Sequence, residues 1–343
     1  MNSEYDSINV EFWRGDLVES IHRAHYCIVD NTGELLDQGG NPDLITYLRS
    51  STKPLQAMAV ILSGAARKFN ITDAELAIIC GSHGGEKYQT ETVHTILSRA
   101  GLSADDLGCG THSPLDKSAR MALYKNNDRL NELHHNCSGK HAGMMLSAIC
   151  LGEPIENYLS LNSAVQQRVN LLITELSGID ADEMTMGIDG CSVPAHAMML
   201  KSAALAYARL INPEGLPDEI AEAALRVGRA MRSYPEMVGA NKDRICTDLI
   251  RLGRVFELIG KAGAEGYYSA GWRDSKTGRG IGMAIKVEDG AERARNPLII
   301  NILQKYGILP QSLSQNLIQY AAKDTLNNRG NKVGQIVIRF SNS

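Results

Sequence analysis

Short apolar runs occupy both ends of the chain, and longer apolar patterns with helical spacing fill its middle. Near the N-terminus such runs cover residues 10–13, 18–21 and 24–29, and each has the length of a strand. Residues 30–33 read Asp-Asn-Thr-Gly, which favours a tight turn, and residues 34–36 begin the return strand. The pattern therefore predicts a β-hairpin in this part of the chain.

The middle of the chain predicts helices. Residues 162–176 form a long amphipathic segment, and the Ser-Gly pair that follows is typical of a helix end. Two prolines, Pro194 and Pro217, each precede an apolar run. Because proline is favoured in the first turn of a helix, we predict helices over about 194–210 and 217–232.

The last third of the chain returns to strand-like patterns, at residues 255–261, 267–272, 282–287 and 333–340. Strands at both ends around a helical middle favour the α+β class, with one antiparallel sheet built from both terminal segments and helices packed against it. We predict one domain over residues 1–343. Its sheet would come from about 8–48 and 255–340, and its helical region from about 54–252.

A serine and a lysine stand at the start of one predicted helix. Ser50 and Lys53 are followed by Pro54, which is tolerated only in the first helical turn. Apolar residues then follow with the spacing of a buried helix face: Leu55, Met58, Ala59 and Leu62. Ser50 and Lys53 would thus lie about one turn apart on one side of the chain. This arrangement suits a serine nucleophile whose proton is taken by a neutral lysine amine.

A second serine and a second lysine lie in comparable surroundings. Ser82 is flanked by glycines and His83, and such small neighbours let a substrate approach closely. Lys261 ends a predicted strand and opens a lysine-small-glycine element, which lines the active site in β-lactamase-like enzymes. A Lys-Thr-Gly sequence at residues 276–278 lies in a polar stretch that we interpret as a hairpin turn, so Lys261 is the preferred candidate.

Composition limits the classes of partner. The net charge of −4 and the pI near 6.2 argue against a nucleic-acid or anionic-membrane surface. We expect no signal peptide and no membrane span, because the N-terminus is polar and no apolar run is long enough. Seven cysteines without a secretory signal suggest free thiols, and therefore a cytoplasmic protein.

Two cysteines stand among other donors of the kind that bind metals. Cys137 lies in a segment that also contains Lys140 and His141, and Cys191 follows Asp189 farther along the chain. Two thiolates with a histidine or lysine would suit Zn²⁺ and leave a position for water. The thiols are far apart in sequence and form no C-x-x-C pair, so buried structural cysteines remain the alternative.

Taken together, these motifs resemble the Rhizobium etli-type L-asparaginases, the third structural class of asparaginase. The resemblance covers residues 10–340 approximately and rests on five motifs in one order. They are Arg49-Ser50-Ser51-Thr52-Lys53-Pro54-Leu55-Gln56-Ala57, Cys80-Gly81-Ser82-His83, Asn136-Cys137-Ser138-Gly139-Lys140-His141-Ala142-Gly143, Asp189-Gly190-Cys191 and Lys261-Ala262-Gly263-Ala264-Glu265-Gly266. The resemblance implies a serine β-lactamase-like fold and hydrolysis of L-asparagine to L-aspartate and ammonia.

The resemblance also implies roles for individual residues. Two Ser–Lys pairs would act in catalysis, Ser50 with Lys53 and Ser82 with Lys261. Zn²⁺ would be held by Cys137, Lys140, Cys191 and water. Substrate would be bound by a further set: Arg49, His83, His141, Asp189 and Glu265. Within it, Asp189 would receive the α-ammonium group, and Arg49 would orient either the α-carboxylate or the Ser50 loop. A homodimer is expected.

The implied mechanism is double displacement. Ser50 attacks the side-chain amide, ammonia leaves, and water hydrolyses the β-aspartyl ester, while Ser82 and Lys261 relay protons. The reverse assignment, with Ser82 attacking, stays open. Alternative functions are a glutaminase or a penicillin-recognising serine hydrolase on the same fold. A non-catalytic zinc-binding protein is the alternative from a different class.

Overall fold

The computed structural model describes residues 7–340. Over this range the chain forms two antiparallel sheets. Their strands, in chain order, are β1 (Ile8–Arg14), β2 (Leu17–Asp30), β3 (Leu35–Gly39), β4 (Ile45–Tyr47), β5 (Thr185–Ile188), β6 (Pro194–Met199), β7 (Ile259–Ala262), β8 (Tyr267–Arg273), β9 (Gly280–Val287), β10 (Asp324–Leu326) and β11 (Lys332–Arg339).

Most α-helices of the same range lie, in sequence, between β4 and β7. The α-helices are α1 (Lys53–Leu62), α2 (Ala65–Lys68), α3 (Asp73–Ile79), α4 (Lys87–Ser98), α5 (Lys117–Asn126), α6 (Ser138–Leu151), α7 (Ala164–Ser177), α8 (Leu200–Ile211), α9 (Asp218–Ser233), α10 (Pro235–Val238), α11 (Ile245–Leu252), α12 (Glu292–Lys305) and α13 (Gln315–Ile318). None of these helices is both long and apolar enough to cross a bilayer.

The main sheet joins the two ends of the chain. Its strands run in the order β10-β11-β1-β2-β9-β8-β7, and β3 pairs with the remaining part of β2. The long strand β2 therefore links the N-terminal hairpin to the C-terminal strands, with Ala24 opposite Val287. This arrangement confirms the predicted α+β class and the predicted sheet built from both terminal segments.

Helix α8 packs directly on the main sheet because glycines leave room for it. A Cβ atom on Gly282 of β9 would lie 1.9 Å from the carbonyl oxygen of Ala204, and one on Gly271 of β8 would lie 2.5 Å from that of Tyr207. Real Cβ contacts are not that short, so these positions fix how closely the helix approaches. Trp272 and Tyr207 are buried in the core around this contact.

The small sheet was not predicted. Its strand order is β4-β6-β5, and β6 begins at Pro194, where the sequence predicted a helix over 194–210. The helical part of that prediction begins only at Leu200. The error has a physical reason, since proline is favoured both in a first helical turn and as the first residue of a strand.

Other predicted elements agree with the structure more closely. Helix α7 ends at Ser177 and is followed by Gly178, which adopts φ 68°, and α9 follows Pro217. The strand predicted over 255–261 is shorter, because a 3₁₀ turn covers Arg254–Phe256 and β7 begins at Ile259. Helix α12 lies inside 255–340, one of the two segments predicted to supply the sheet. The Lys-Thr-Gly sequence at 276–278 lies in the turn between β8 and β9, as predicted.

Candidate active site

Two buried lysine amines meet at the hydroxyl of Ser82. The Nζ atoms of Lys53 and Lys261 each lie 2.9 Å from Ser82 Oγ. Lys53 is the first residue of α1, Lys261 belongs to β7, and Ser82 lies in the loop after α3. Both lysines are 1% exposed and Ser82 is 6% exposed. Three separate elements therefore converge on one hydroxyl group.

The two amines differ in their other partners. Lys53 Nζ also donates to the carbonyl oxygens of Gly81, at 2.6 Å, and Asn136, at 3.3 Å. Lys261 Nζ has one further partner, the carbonyl oxygen of Ala262 at 3.0 Å. A neutral amine can donate two hydrogens and accept one. Lys261 therefore fits a neutral amine that accepts the Ser82 proton, and Lys53 fits a donor to Ser82 Oγ.

The pKa values of the two lysines agree with this division. Burial lowers the pKa of Lys261 to about 7, helped by the positive charges of Lys53 and Arg244. Burial also lowers the pKa of Lys53, but the nearby Cys137 thiolate opposes that change. The Lys261 amine thus loses its proton near neutral pH.

The position of Lys53 differs from the sequence expectation. We expected its amine to pair with Ser50, but its hydrogen bonds in residues 7–340 go to the Ser82 hydroxyl and to carbonyl oxygens. Ser50 and Lys53 do lie in adjacent turns, because Ser50 belongs to the 3₁₀ turn Arg49–Thr52 and Lys53 begins α1. The buried lysine side chain, however, reaches across to the loop after α3. The expected bond between Ser82 and Lys261 is present.

Ser50 and Ser82 line one open cavity of about 420 Å³. Ser50 is half-buried, and neither its N–H group nor its hydroxyl has a hydrogen-bond partner within the described residues. In contrast, the Ser82 N–H donates to the carbonyl of Val238 and the His83 N–H to that of Asn136. Of the two serines, only Ser50 thus offers a free backbone donor for an oxyanion.

Arg49 and Asp189 bind each other. Arg49 Nη2 lies 2.9 Å from Asp189 Oδ1, and both side chains are partly buried. Asp189 raises the pKa of Arg49, and the charge of Glu265 adds to that effect. Burial alone would raise the pKa of Asp189, but Arg49 and Lys140 lower it. Glu265 itself lies in an exposed turn at φ 58°. The pair joins the Ser50 turn to the loop that carries Cys191.

The two histidines predicted to bind substrate are fully buried. His83 Nε2 lies 2.8 Å from Ser138 Oγ, while its Nδ1 accepts from the Gly85 N–H. Burial lowers the pKa of His83 to about 3, so the ring is neutral. His141 Nδ1 bonds the Tyr158 hydroxyl at 2.7 Å, whereas its Nε2 is buried without a partner among the described residues.

Cys137, Lys140 and Cys191 form a buried cluster beside Lys53. Lys140 Nζ lies 3.0 Å from Cys191 Sγ. A hydrogen bond with Cys191 lowers the pKa of Cys137 well below its ordinary value, and the amines of Lys53 and Lys140 add to this. The same bond raises the pKa of Cys191. These opposite directions are those of two thiols that share one proton.

This cluster is chemically unusual for a metal site. Within residues 7–340, no group of three histidine, cysteine, aspartate or glutamate side chains is placed to hold a metal. The cluster supplies two sulfur ligands, and its third donor is an amine. Burial alone would lower the pKa of Lys140, but the charges of Cys137 and Cys191 raise it. Two thiolates and an amine fit Zn²⁺ if the metal replaces that amine's proton.

Some groups at the site were missed by sequence reasoning. The Asn136 carbonyl accepts from Lys53, and its side-chain oxygen lies 3.0 Å from Cys137 Sγ. Arg244 lines the cavity and donates to the carbonyl of Ser82 at 3.3 Å. Asn136 begins a motif that the sequence did single out. Arg244 gave no such signal, because a charged residue before an apolar helix is common on protein surfaces.

The chain belongs to the L-asparaginase II family, whose sequence model matches residues 10–338. No curated protein sequence matches the chain significantly.

Solved structures show distant likeness. A crystal structure of Mglu in its native form has 14% identity and a TM-score of 0.47, over 86% of this chain and 63% of that one. A β-lactamase from Sphaerobacter thermophilus has 14% identity and a TM-score of 0.45, and the match covers 85% of this chain and 94% of that one. A Bacillus glutaminase has 12% identity and a TM-score of 0.37, and the match covers 90% of this chain and 93% of that one. This chain thus spans less than two thirds of Mglu.

Proposed function

We propose that the protein is an amidohydrolase that converts L-asparagine to L-aspartate and ammonia through a serine ester. The observation that carries this proposal is the Ser82 hydroxyl, held 2.9 Å from two buried amines at the edge of a cavity that also contains Ser50. A hydroxyl between a neutral and a donating amine is easily deprotonated. Membership of the L-asparaginase II family supports the choice of an amide substrate.

Ser50 is the attacking group in this mechanism. Ser50 lines the cavity and its hydroxyl has no hydrogen-bond partner within residues 7–340, so it is free to meet the amide carbon. Lys261 accepts the proton of Ser82, Lys53 stabilises the Ser82 oxygen by donating to it, and Ser82 in turn removes the proton of Ser50. Lys53 therefore acts on Ser50 through Ser82 rather than directly.

The remaining steps use the same groups. The free N–H of Ser50 lies at the start of a helical segment and donates to the oxyanion of the tetrahedral intermediate. Ammonia leaves with the proton that the Ser82–Lys261 pair holds. Water then attacks the β-aspartyl ester, with the pair acting again as base.

The Arg49–Asp189 pair positions the nucleophile. Arg49 precedes Ser50 and has a left-handed backbone, at φ 51°, which a non-glycine residue adopts only when its surroundings hold it there. Its ion pair with Asp189 supplies that restraint. Of the two roles open for Arg49, orienting the Ser50 turn is the one that this contact supports.

We also propose that Cys137, Lys140 and Cys191 hold one Zn²⁺. Their proximity and burial support it, as does the unpartnered Nε2 of the adjacent His141, which is available to a group bound at the metal. The metal would keep both thiols ionised and fix the loop that carries Asp189. No proton of the serine reaction passes through it.

Ammonia release from L-asparagine and L-glutamine tests the function. We expect L-asparagine to be the better substrate by kcat/KM and Ser50→Ala to abolish turnover. Equal values for the two amides would contradict the asparaginase proposal in favour of the broader glutaminase alternative. Cleavage of nitrocefin without ammonia release would favour the penicillin-recognising alternative. Full activity in Ser50→Ala and Ser82→Ala alike would refute the catalytic mechanism.

A further inference from the structure

The wall of the cavity that holds Ser50 and Ser82 is strongly charged. Its charged members are Asp243, Arg244, Glu292 and Arg295. Asp243 and Arg244 directly precede α11, and Glu292 and Arg295 lie in the first turn of α12. A cavity lined in this way suits a small molecule that carries charges of its own, and its anchoring group must be a residue whose charge is not already balanced.

The positive charges of two nearby arginines are already neutralised by partners within the protein. Arg295 is 3% exposed, and its guanidinium binds Glu292 and, at 2.9 Å, the side-chain oxygen of Asn296. Arg49 is paired with Asp189 and does not belong to the cavity wall. A substrate carboxylate would have to displace an existing ion pair to bind either of them.

Arg244 is different. Its guanidinium is half-buried and donates to the carbonyl oxygen of Ser82 at 3.3 Å, and it has no ion pair with any acid in residues 7–340. Its charge reaches the reacting groups, since it helps to lower the pKa of Lys261. An arginine beside a catalytic serine, with most of its five donors unused, is suited to bidentate binding of a carboxylate.

We propose that Arg244 binds the α-carboxylate of the substrate and so selects free amino acids over carboxyl-blocked ones. The proposal rests on the proposed amidohydrolase function and names the residue that recognises its substrate. The neighbouring Asp243 belongs to the same wall and forms no salt bridge within the described residues, so the two side chains present charges complementary to those of an amino acid. The family resemblance had suggested Arg49 for this role.

Binding of the product, L-aspartate, tests the proposal without turnover. Calorimetry compares L-aspartate with its α-methyl ester, which differs from it only in the blocked α-carboxylate. We expect the wild type to bind L-aspartate roughly 10- to 100-fold more tightly than the ester, the usual range for hydrogen bonds to a charged group. Arg244→Gln should bind both equally, and Arg244→Lys should recover part of the preference.

The control is Arg229→Gln, an exposed arginine of α9 that pairs with Asp73, and it should behave like the wild type. The proposal would be overturned if Arg244→Gln still preferred L-aspartate to its α-methyl ester. Loss of that preference in Arg49→Gln, with the preference kept in Arg244→Gln, would assign the carboxylate to Arg49 instead. A wild type that binds neither compound would also overturn the proposal. A wild type that binds L-aspartate through Arg244 but releases no ammonia would uphold the proposal and refute the proposed function.

Discussion

Replacing Lys261 by methionine should inactivate the protein and, at neutral pH, stabilise its fold. Methionine is unbranched and similar in length, so it fits the buried position on β7 without a polar end. The change removes the amine 2.9 Å from Ser82 Oγ, which in the proposed mechanism accepts the Ser82 proton. Loss of a general base lowers the rate by roughly 10²- to 10⁴-fold, and we expect kcat to fall by this amount.

The effect on stability follows from the pKa of the buried amine. Burial lowers the pKa of Lys261 from 10.5 to about 7. At pH 7 the unfolded chain holds the proton that the folded protein has partly lost, which costs roughly 4–5 kcal/mol of folding free energy. The Lys261→Met variant avoids that cost but leaves the Ala262 carbonyl without its donor, at about 1–3 kcal/mol. A net gain of a few kcal/mol should remain.

The sign of the pH dependence is the sharper test. Because the folded pKa is the lower one, the cost to the wild type is large at pH 7 and disappears as pH rises toward 10.5. Urea unfolding should therefore show that Lys261→Met gains more stability at pH 7 than at pH 10. Lys201→Met, a half-exposed lysine paired with Asp43, should change neither stability nor activity. A gain that is independent of pH, or activity within tenfold of the wild type, would refute the reasoning.

Three further results are expected. The kcat/KM of the wild type should rise with pH through about 7, because the proposed mechanism needs a neutral Lys261 in the free enzyme, and a limb near 10 would contradict this assignment. Elemental analysis should find about one Zn²⁺ per chain, and Cys137→Ser should lose it; a metal-free wild type after zinc-replete purification would favour buried structural thiols. Gly263→Ala should destabilise the fold and lower activity, because its Cβ would lie 2.4 Å from the Leu48 carbonyl oxygen. An unchanged free energy of unfolding would show that close packing against Gly263 does not hold the Ser50 turn in place.

The overall fold was largely predictable because its signals are local. The apolar spacing and the terminal glycine of α7 predict that helix, and short apolar runs predict the strands at both ends of the chain. The small sheet was missed because β6 follows a proline and precedes a helix, so its strand character comes from pairing with β4 and β5. Such pairing partners, distant in sequence, leave no local pattern.

The candidate site divides in the same way. Motifs identified the candidate residues, and the structure gathers Lys53, Ser82 and Lys261 as one group. The partner of Lys53 was not predictable, because Ser82 lies in another loop and only packing brings α1 against α3. Arg244 was missed for a related reason: nothing in its local sequence distinguishes a cavity arginine from a surface one.

The most direct test of the account is the identity of the covalent intermediate. The wild type would be mixed with L-asparagine, quenched in acid and digested, and its peptides weighed by mass spectrometry. The mechanism predicts a β-aspartyl ester on the peptide that contains Ser50, formed far more slowly in Lys261→Met. An ester on Ser82 would reverse the roles of the two serines. Ammonia release without any serine ester would contradict covalent catalysis by the serine–lysine group.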